Sequence, residues 1–354
     1  MALYEAVRAE IMSGSRMYGD RLPSRRQMAA ERGVSAVTVD HSYELLCDEG
    51  YIESRPRSGY FVIYRGDDGF AGTGDETGAA EAGLREPEPD DGEGDGGGVS
   101  PFPFSTLAKT MRRVITEQGE EILEKSPNTG REELRLAVSR YLQRSRGIHA
   151  LPGQIVIGSG AEYLYGMVVE MLGKDRVYGI ESPSYEKIEQ VYRAKGVRCE
   201  LLTLGRDGIR SAELKRTKAS VLHITPYRSF PSGVTASASK RTEYLRWASS
   251  GDRYIVEDDF ESEFSMLRKH EETVYSRASA GNVIYINTFT RTISPALRLG
   301  YMVLPPELLP VFDRTVGFYS CTVPAFEQMV LERLLNEGDF ERHINRIRRE
   351  KRRK

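Results

Sequence analysis

Residues 285–304 read Tyr285-Ile-Asn-Thr-Phe-Thr-Arg-Thr-Ile-Ser-Pro-Ala-Leu-Arg-Leu-Gly-Tyr-Met-Val-Leu304. An apolar run from Val283 to Ile286 enters the stretch like a buried strand; a short hydroxyl-rich segment follows, then Pro295, Arg298 and a second apolar run. Working outward, apolar runs alternate with helical patterns from residue 99 onward. Residues 155–172 (IVIGSGAEYLYGMVVEML) read as strand, glycine turn and helix, and residues 176–197 repeat the order. Residues 220–234, 254–264 and 283–289 supply further buried strands. Such alternation predicts an α/β domain with a mainly parallel sheet and crossover helices.

The opening stretch resembles the cofactor-lysine segment of fold-type I aminotransferases, which depend on pyridoxal 5'-phosphate. The resemblance implies that Thr288, Thr290 and Arg298 hold the phosphate and that position 291 is where a lysine would join the cofactor; here it is Arg291. A Schiff base needs a neutral amine, whereas a guanidinium stays protonated and delocalised. Position 291 therefore cannot support ordinary transamination. The resemblance further implies a phosphate turn at Ser159, Gly160 and Ala161, an aromatic near the cofactor ring at Tyr185 and a carboxylate for the pyridine nitrogen at Asp258. Free amides and the helix dipole after such a turn favour an anion. On the residues alone, 158–160 is equally a tight turn, Tyr185 a core side chain and Asp258 a cap among the acids 257–259. Phe260 replaces the family's tyrosine and Arg228-Ser229 its His-Gln pair. Arg291 has two open destinations, the anion site or an ion pair with Asp258.

Residues 1–65 have a different design. Leu3, Val7, Ile11 and Met12 share one helical face; Ser24 precedes a helix over 25–32, and Ser35 precedes another over 36–49. Residues 51–53 and 59–63 alternate like a hairpin. Three short helices and a hairpin predict a winged helix-turn-helix. The segments GDRLPSRRQMA, GVSAVTV and EGYIESRPRSGYFV resemble the signatures of the GntR-type DNA-binding domain. That resemblance implies a recognition helix over 36–49 in the major groove of double-stranded DNA. Ser24, Arg26, Ser35, Thr38 and His41 would face the duplex, and Arg57, Ser58 and Gly59 would form the wing tip. Ala36 stands where the family often has arginine. Nine basic and nine acidic residues in 1–65 leave the module without net charge, so the alternative is a small helical protein-interaction domain.

Residues 66–98 hold eleven glycines, eleven acids and one basic residue, Arg85, a composition that buries no core. As a flexible linker the segment spans roughly 30 Å. The pairing of a GntR-type winged helix with an aminotransferase-like domain over 99–354 resembles the MocR-type regulators. The resemblance implies a homodimer that binds operator DNA, with pyridoxal phosphate or another small-molecule effector in the second domain. An active enzyme would need another lysine; Lys187 and Lys240 lie in relevant segments.

The family continues into a small C-terminal domain, whereas this chain stops after the long helix, so that domain is expected to be missing. Its loss is expected to expose Val330, Leu331, Leu334 and Leu335. The last thirteen residues carry eight basic side chains against Glu350 and read as an amphipathic surface or a polyanion-binding end. No signal peptide, apolar run of membrane-spanning length or metal-ligand spacing is evident, and Cys47, Cys199 and Cys321 are scattered. The expectation is a cytoplasmic protein with free thiols, no metal and no membrane partner.

Overall fold

The computed structural model describes residues 2–48, 51–55, 58–64, 102–265 and 272–353; Arg57 and the acidic stretch 66–98 lie outside them. The described residues fall into two compact units, 2–64 with 104–112, and 102–103 with 113–353. The first holds helices α1 (Ala2–Met12), α2 (Arg25–Arg32) and α3 (Ala36–Asp48) and strands β1 (Ile52–Arg55) and β2 (Gly59–Val62). Ser24 caps α2: its Oγ accepts from the Gln27 amide, and the Gln27 side chain accepts from the Ser24 amide. Gly33 ends α2 at φ 64°, and Ser35 Oγ accepts from the Thr38 amide at 3.1 Å to start α3. Each such cap is worth about 1 kcal/mol. Val7, Met28, Val39, Tyr43, Leu46 and Val62 fill the core. The antiparallel pair β1–β2 runs in register from Ile52↔Val62 to Arg55↔Gly59.

Helix α4 (Phe104–Gln118) is divided between the units at residue 112; the second unit continues with α5 (Glu132–Arg146), β3 (Ile155–Gly158) and α6 (Ala161–Leu172). Its remaining strands are β4 (Val177–Ser182), β5 (Arg198–Thr203), β6 (Val221–Ile224), β7 (Tyr254–Asp258), β8 (Val283–Thr288) and β9 (Gly300–Val303). They form one sheet in the order β3-β9-β8-β7-β6-β4-β5. All are mutually parallel except β9, which runs against both neighbours. The segment 289–299 turns β8 straight back as β9.

β3, β6, β7, β8 and β9 are buried along most or all of their length, as strands covered on both faces must be. One face packs Leu164 and Val168 of α6 over Tyr178, Ile180 and Met302; the other packs Tyr244 and Trp247 over Leu222 and Ile255. One C-terminal expectation is corrected, and the amphipathic reading of the basic end is met. Val330, Leu331, Leu334 and Leu335 are buried rather than exposed, because α5 covers the helix Ala325–Asn336 that carries them. The basic last residues belong to helix Asp339–Arg353, which buries Phe340, Ile344 and Ile347 and spends Arg348 on the Glu263 carbonyl at 2.7 Å.

Candidate functional site

The carboxyl ends of β3, β7 and β8 lie at one edge of the sheet, the place where open α/β sheets bind ligands. Cross-strand register puts Gly158 and Thr288 on either side of Gly300. A Cβ on Gly300 would stand 3.0 Å from Thr288 Cγ2 and 3.4 Å from the Gly160 Cα, so a side chain there would crowd the place where the three segments meet. Gly160 has φ 90° and starts α6; a Cβ there would stand 3.3 Å from Arg298 Nη2. Thr288, Gly160, Ala161 and Arg298 therefore converge beside a helix N-terminus, a cationic seat for an anion. The Thr322 hydroxyl donates to Ser159 Oγ at 3.0 Å, and Thr290 lies partly exposed in the turn. Glu162, one residue into α6, faces this seat: Arg298 Nη2 is 3.3 Å from it and Lys187 Nζ 3.9 Å. Lys187 also lies over the Tyr185 ring, which meets Phe230 edge to face.

Asp258 closes β7 opposite Ile286, two residues short of Thr288 on the neighbouring strand. Its Oδ2 accepts from the Tyr165 hydroxyl and lies 3.6 Å from His223 Nε2. Burial, and then the Asp258 charge, push the Tyr165 phenol well above its ordinary pKa, so it stays a donor. Tyr192 and His223 Nδ1 are 2.7 Å apart. Asp258 Oδ1 and His223 Nε2 are buried without a hydrogen-bond partner among the described residues. A buried carboxylate oxygen left this way needs a donor.

Arg291 takes neither expected destination. Its Nη1 holds Glu261 Oε1 at 2.5 Å and its guanidinium lies 5.7 Å from the Phe260 ring centre. Asp258 is already engaged with Tyr165, while Glu261 lies on the loop directly after β7, nearer the solvent. The two lysines considered as substitutes are also committed: Lys187 to Glu162, and buried Lys240 to Glu243 at 2.7 Å and Ser211 at 3.2 Å. Sequence reasoning overlooked Glu162, Tyr165, His223 and Glu261. The only signals were a polar residue inside the apolar run Val221–Ile224 and a tyrosine one turn after Ala161.

In the first unit Ser24, Arg26, Ser35, Thr38, His41 and Ser58 are exposed over the buried core. Ser35 and Thr38 bond each other at 2.8 Å, Arg25 pairs with Asp40 at 2.6 Å to tie α2 to α3, and Arg21 lies against Gly59.

Residues 1–62 match the family of bacterial regulatory proteins, gntR family. The probable rhizopine catabolism regulatory protein MocR of Rhizobium meliloti is 30% identical over 98% of this chain and 73% of its own length. The chain belongs to the MocR-type subgroup of GntR-family transcriptional regulators. Another relative, the uncharacterized HTH-type transcriptional regulator YdeL of Bacillus subtilis (strain 168), is 29% identical over 98% of this chain and 75% of its own. The second unit is similar to an archaeal alanine:glyoxylate aminotransferase, with a TM-score of 0.63 and 23% identity. That match covers 68% of this chain and 62% of the other, under two thirds of its length, and shows the fold alone. The MocR-type regulator thus has the expected winged helix and α/β fold. Among the described residues no helix is long and apolar enough to cross a membrane, no three metal-ligating side chains cluster, and no cysteine is in a disulfide.

Proposed function

We propose that this MocR-type regulator reads an operator in double-stranded DNA with residues 1–65 and answers to a small anionic effector held by residues 99–354, with 66–98 as the tether. It acts as a homodimer in the cytoplasm, one winged helix on each half-site. The exposed set Ser24, Arg26, Ser35, Thr38 and His41 on the first turns of α2 and α3 supports the DNA contacts, with the wing tip Arg57, Ser58 and Gly59 on the adjacent backbone.

The observation that carries the effector reading is the pair of poles at the sheet edge. The unpartnered Asp258 Oδ1 suits a protonated pyridine nitrogen, and Gly160, Ala161, Thr288 and Arg298 suit a phosphate, helped by Ser159 and Thr290. These residues fit pyridoxal phosphate held without a covalent bond, with Tyr185 against its ring. Bound to an amine, that cofactor supplies an electron sink; Arg291 offers no such amine and Phe260 no hydroxyl. The regulator is therefore not a transaminase.

Fluorescence anisotropy with the duplex upstream of the gene tests the first half. Affinity on the order of a thousandfold or more above random duplex and falling steeply with salt is expected, and Arg26→Ala should weaken it. Equal, salt-insensitive binding to all duplexes would end this reading. Arg291→Lys with added pyridoxal phosphate tests the second half. A near-visible absorbance band that borohydride abolishes, with the label mapped to position 291, is expected in the variant alone. Its absence would remove the pocket assignment.

A further inference from the structure

Helix α3 carries no lysine or arginine: its charged side chains are Asp40, Glu44 and Asp48, with His41 between the first two. In the major groove a guanine is read chiefly by the fork of an arginine or by a lysine. A helix with neither does not read guanine in that way. Nor does the acid nearest its first turn offer itself to a base, since Arg25 of α2 holds Asp40 at 2.6 Å.

What α3 presents at its N-terminal turn is apolar. Val37 is 78% exposed, and among the described residues of the first unit no large apolar side chain is more so. Ala36 beside it is exposed as well. The hydroxyls of the same turn are spent largely on each other: Ser35 Oγ and Thr38 Oγ1 lie 2.8 Å apart, and Ser35 Oγ also takes the Thr38 amide at 3.1 Å. Val37 is β-branched, so a helix holds it in one strongly preferred rotamer and a contact made by it costs little entropy. A lone valine on an arbitrary surface needs no explanation. This one stands on the N-terminal turn of a recognition helix, whose residues meet base edges. The apolar group that a base pair shows in the major groove is the 5-methyl of thymine.

We infer that Val37, flanked by Ala36, packs against the 5-methyl group of a thymine and so sets the base preference of the operator at that position. This deepens the operator reading and rests on it: the ligand of the first turn of α3 is a thymine in double-stranded DNA, recognised by an apolar contact in place of a charged fork.

Selection of duplexes from a random pool by the full chain supplies the probe. Each thymine of the selected duplex is then replaced by deoxyuridine, which keeps every hydrogen-bonding group of the base and removes only the methyl. Fluorescence anisotropy should show at least one thymine per half-site where the replacement weakens binding about fourfold. Val37→Ala should bind the thymine duplex several-fold more weakly than the parent, and should bind the thymine and deoxyuridine duplexes equally at that position. Val37 is exposed, so the variant should melt with the parent; a substitution that merely disturbed the helix would weaken both duplexes alike and leave their ratio unchanged. The inference is overturned if no thymine methyl affects binding, or if every methyl dependence survives in Val37→Ala. Specific binding that ignores the methyl sinks the inference alone, whereas a parent chain with no preference for any duplex sinks the operator reading and the inference with it.

Discussion

Arg291 and Arg298 leave the same turn between β8 and β9, and each ends on a glutamate. The Arg291–Glu261 pair is 2.5 Å long with side chains 33% and 15% exposed; the Arg298–Glu162 pair is 3.3 Å long with side chains 50% and 37% exposed. A third pair in the same unit, Arg146–Asp259 at 2.6 Å, is 6% and 2% exposed. Exposure decides what each pair can do. Water screens the Arg298 pair, so its guanidinium can exchange a side-chain carboxylate for a ligand at little cost. The Arg146 pair is sealed, and removing one partner strands the other.

The largest effect should come from the sealed pair. Asp259→Ala leaves Arg146 buried and uncompensated and should cost about 3–5 kcal/mol in denaturant unfolding. A loss below about 1 kcal/mol would mean that burial does not grade these pairs.

Buried carboxylates without a cation sharpen the contrast. Glu181 accepts from the Ser229 hydroxyl at 2.6 Å and the Thr225 amide at 3.2 Å, and burial raises its pKa from 4.5 to about 7; Glu257, bonded to two backbone amides, is also raised to about 7 by burial. The folded state binds the proton more tightly than the unfolded state. Their contribution is therefore fully present below pH 4.5 and lost as pH rises through 7. The melting temperature should fall between pH 5.5 and 8, and Glu181→Gln should flatten that slope; a slope unchanged by the substitution counts against Glu181 as its source.

The smallest change in stability belongs to the exposed pair. Glu162→Gln should shift unfolding by less than about 1 kcal/mol. It should nevertheless raise the affinity for inorganic phosphate several-fold, because Arg298 and Lys187 lose their resident anion. Unchanged phosphate affinity would show that Glu162 does not compete for the seat.

Local rules made the winged helix legible: Ser24, Gly33 and Ser35 mark helix ends, and the apolar residues of α1 repeat at helical spacing. The strand-turn-helix units of the second domain were legible for the same reason. β5 was not, since an edge strand reading Arg-Cys-Glu-Leu-Leu-Thr carries charges on its open side and shows no clean apolar run. The site was legible in its residue types but not in its pairings. Nothing local distinguishes Glu261 from Asp258 as the partner of Arg291; the buried hydroxyl of Tyr165, brought in from α6, settles it. Likewise Val330 and its neighbours looked stranded because the cover from α5 lies far off in sequence.

Among the described residues β3 is an edge strand whose only neighbour is β9. The cradle at Gly158–Ala161 is thus stitched to the sheet by residues made much later, Gly300–Val303. Such distant pairing is slow, and it waits on synthesis. A growing chain can complete its winged helix from the first 64 residues while the anion seat does not yet exist. The winged helix can thus be complete while the cradle at Gly158–Ala161 still waits for the strand that holds it.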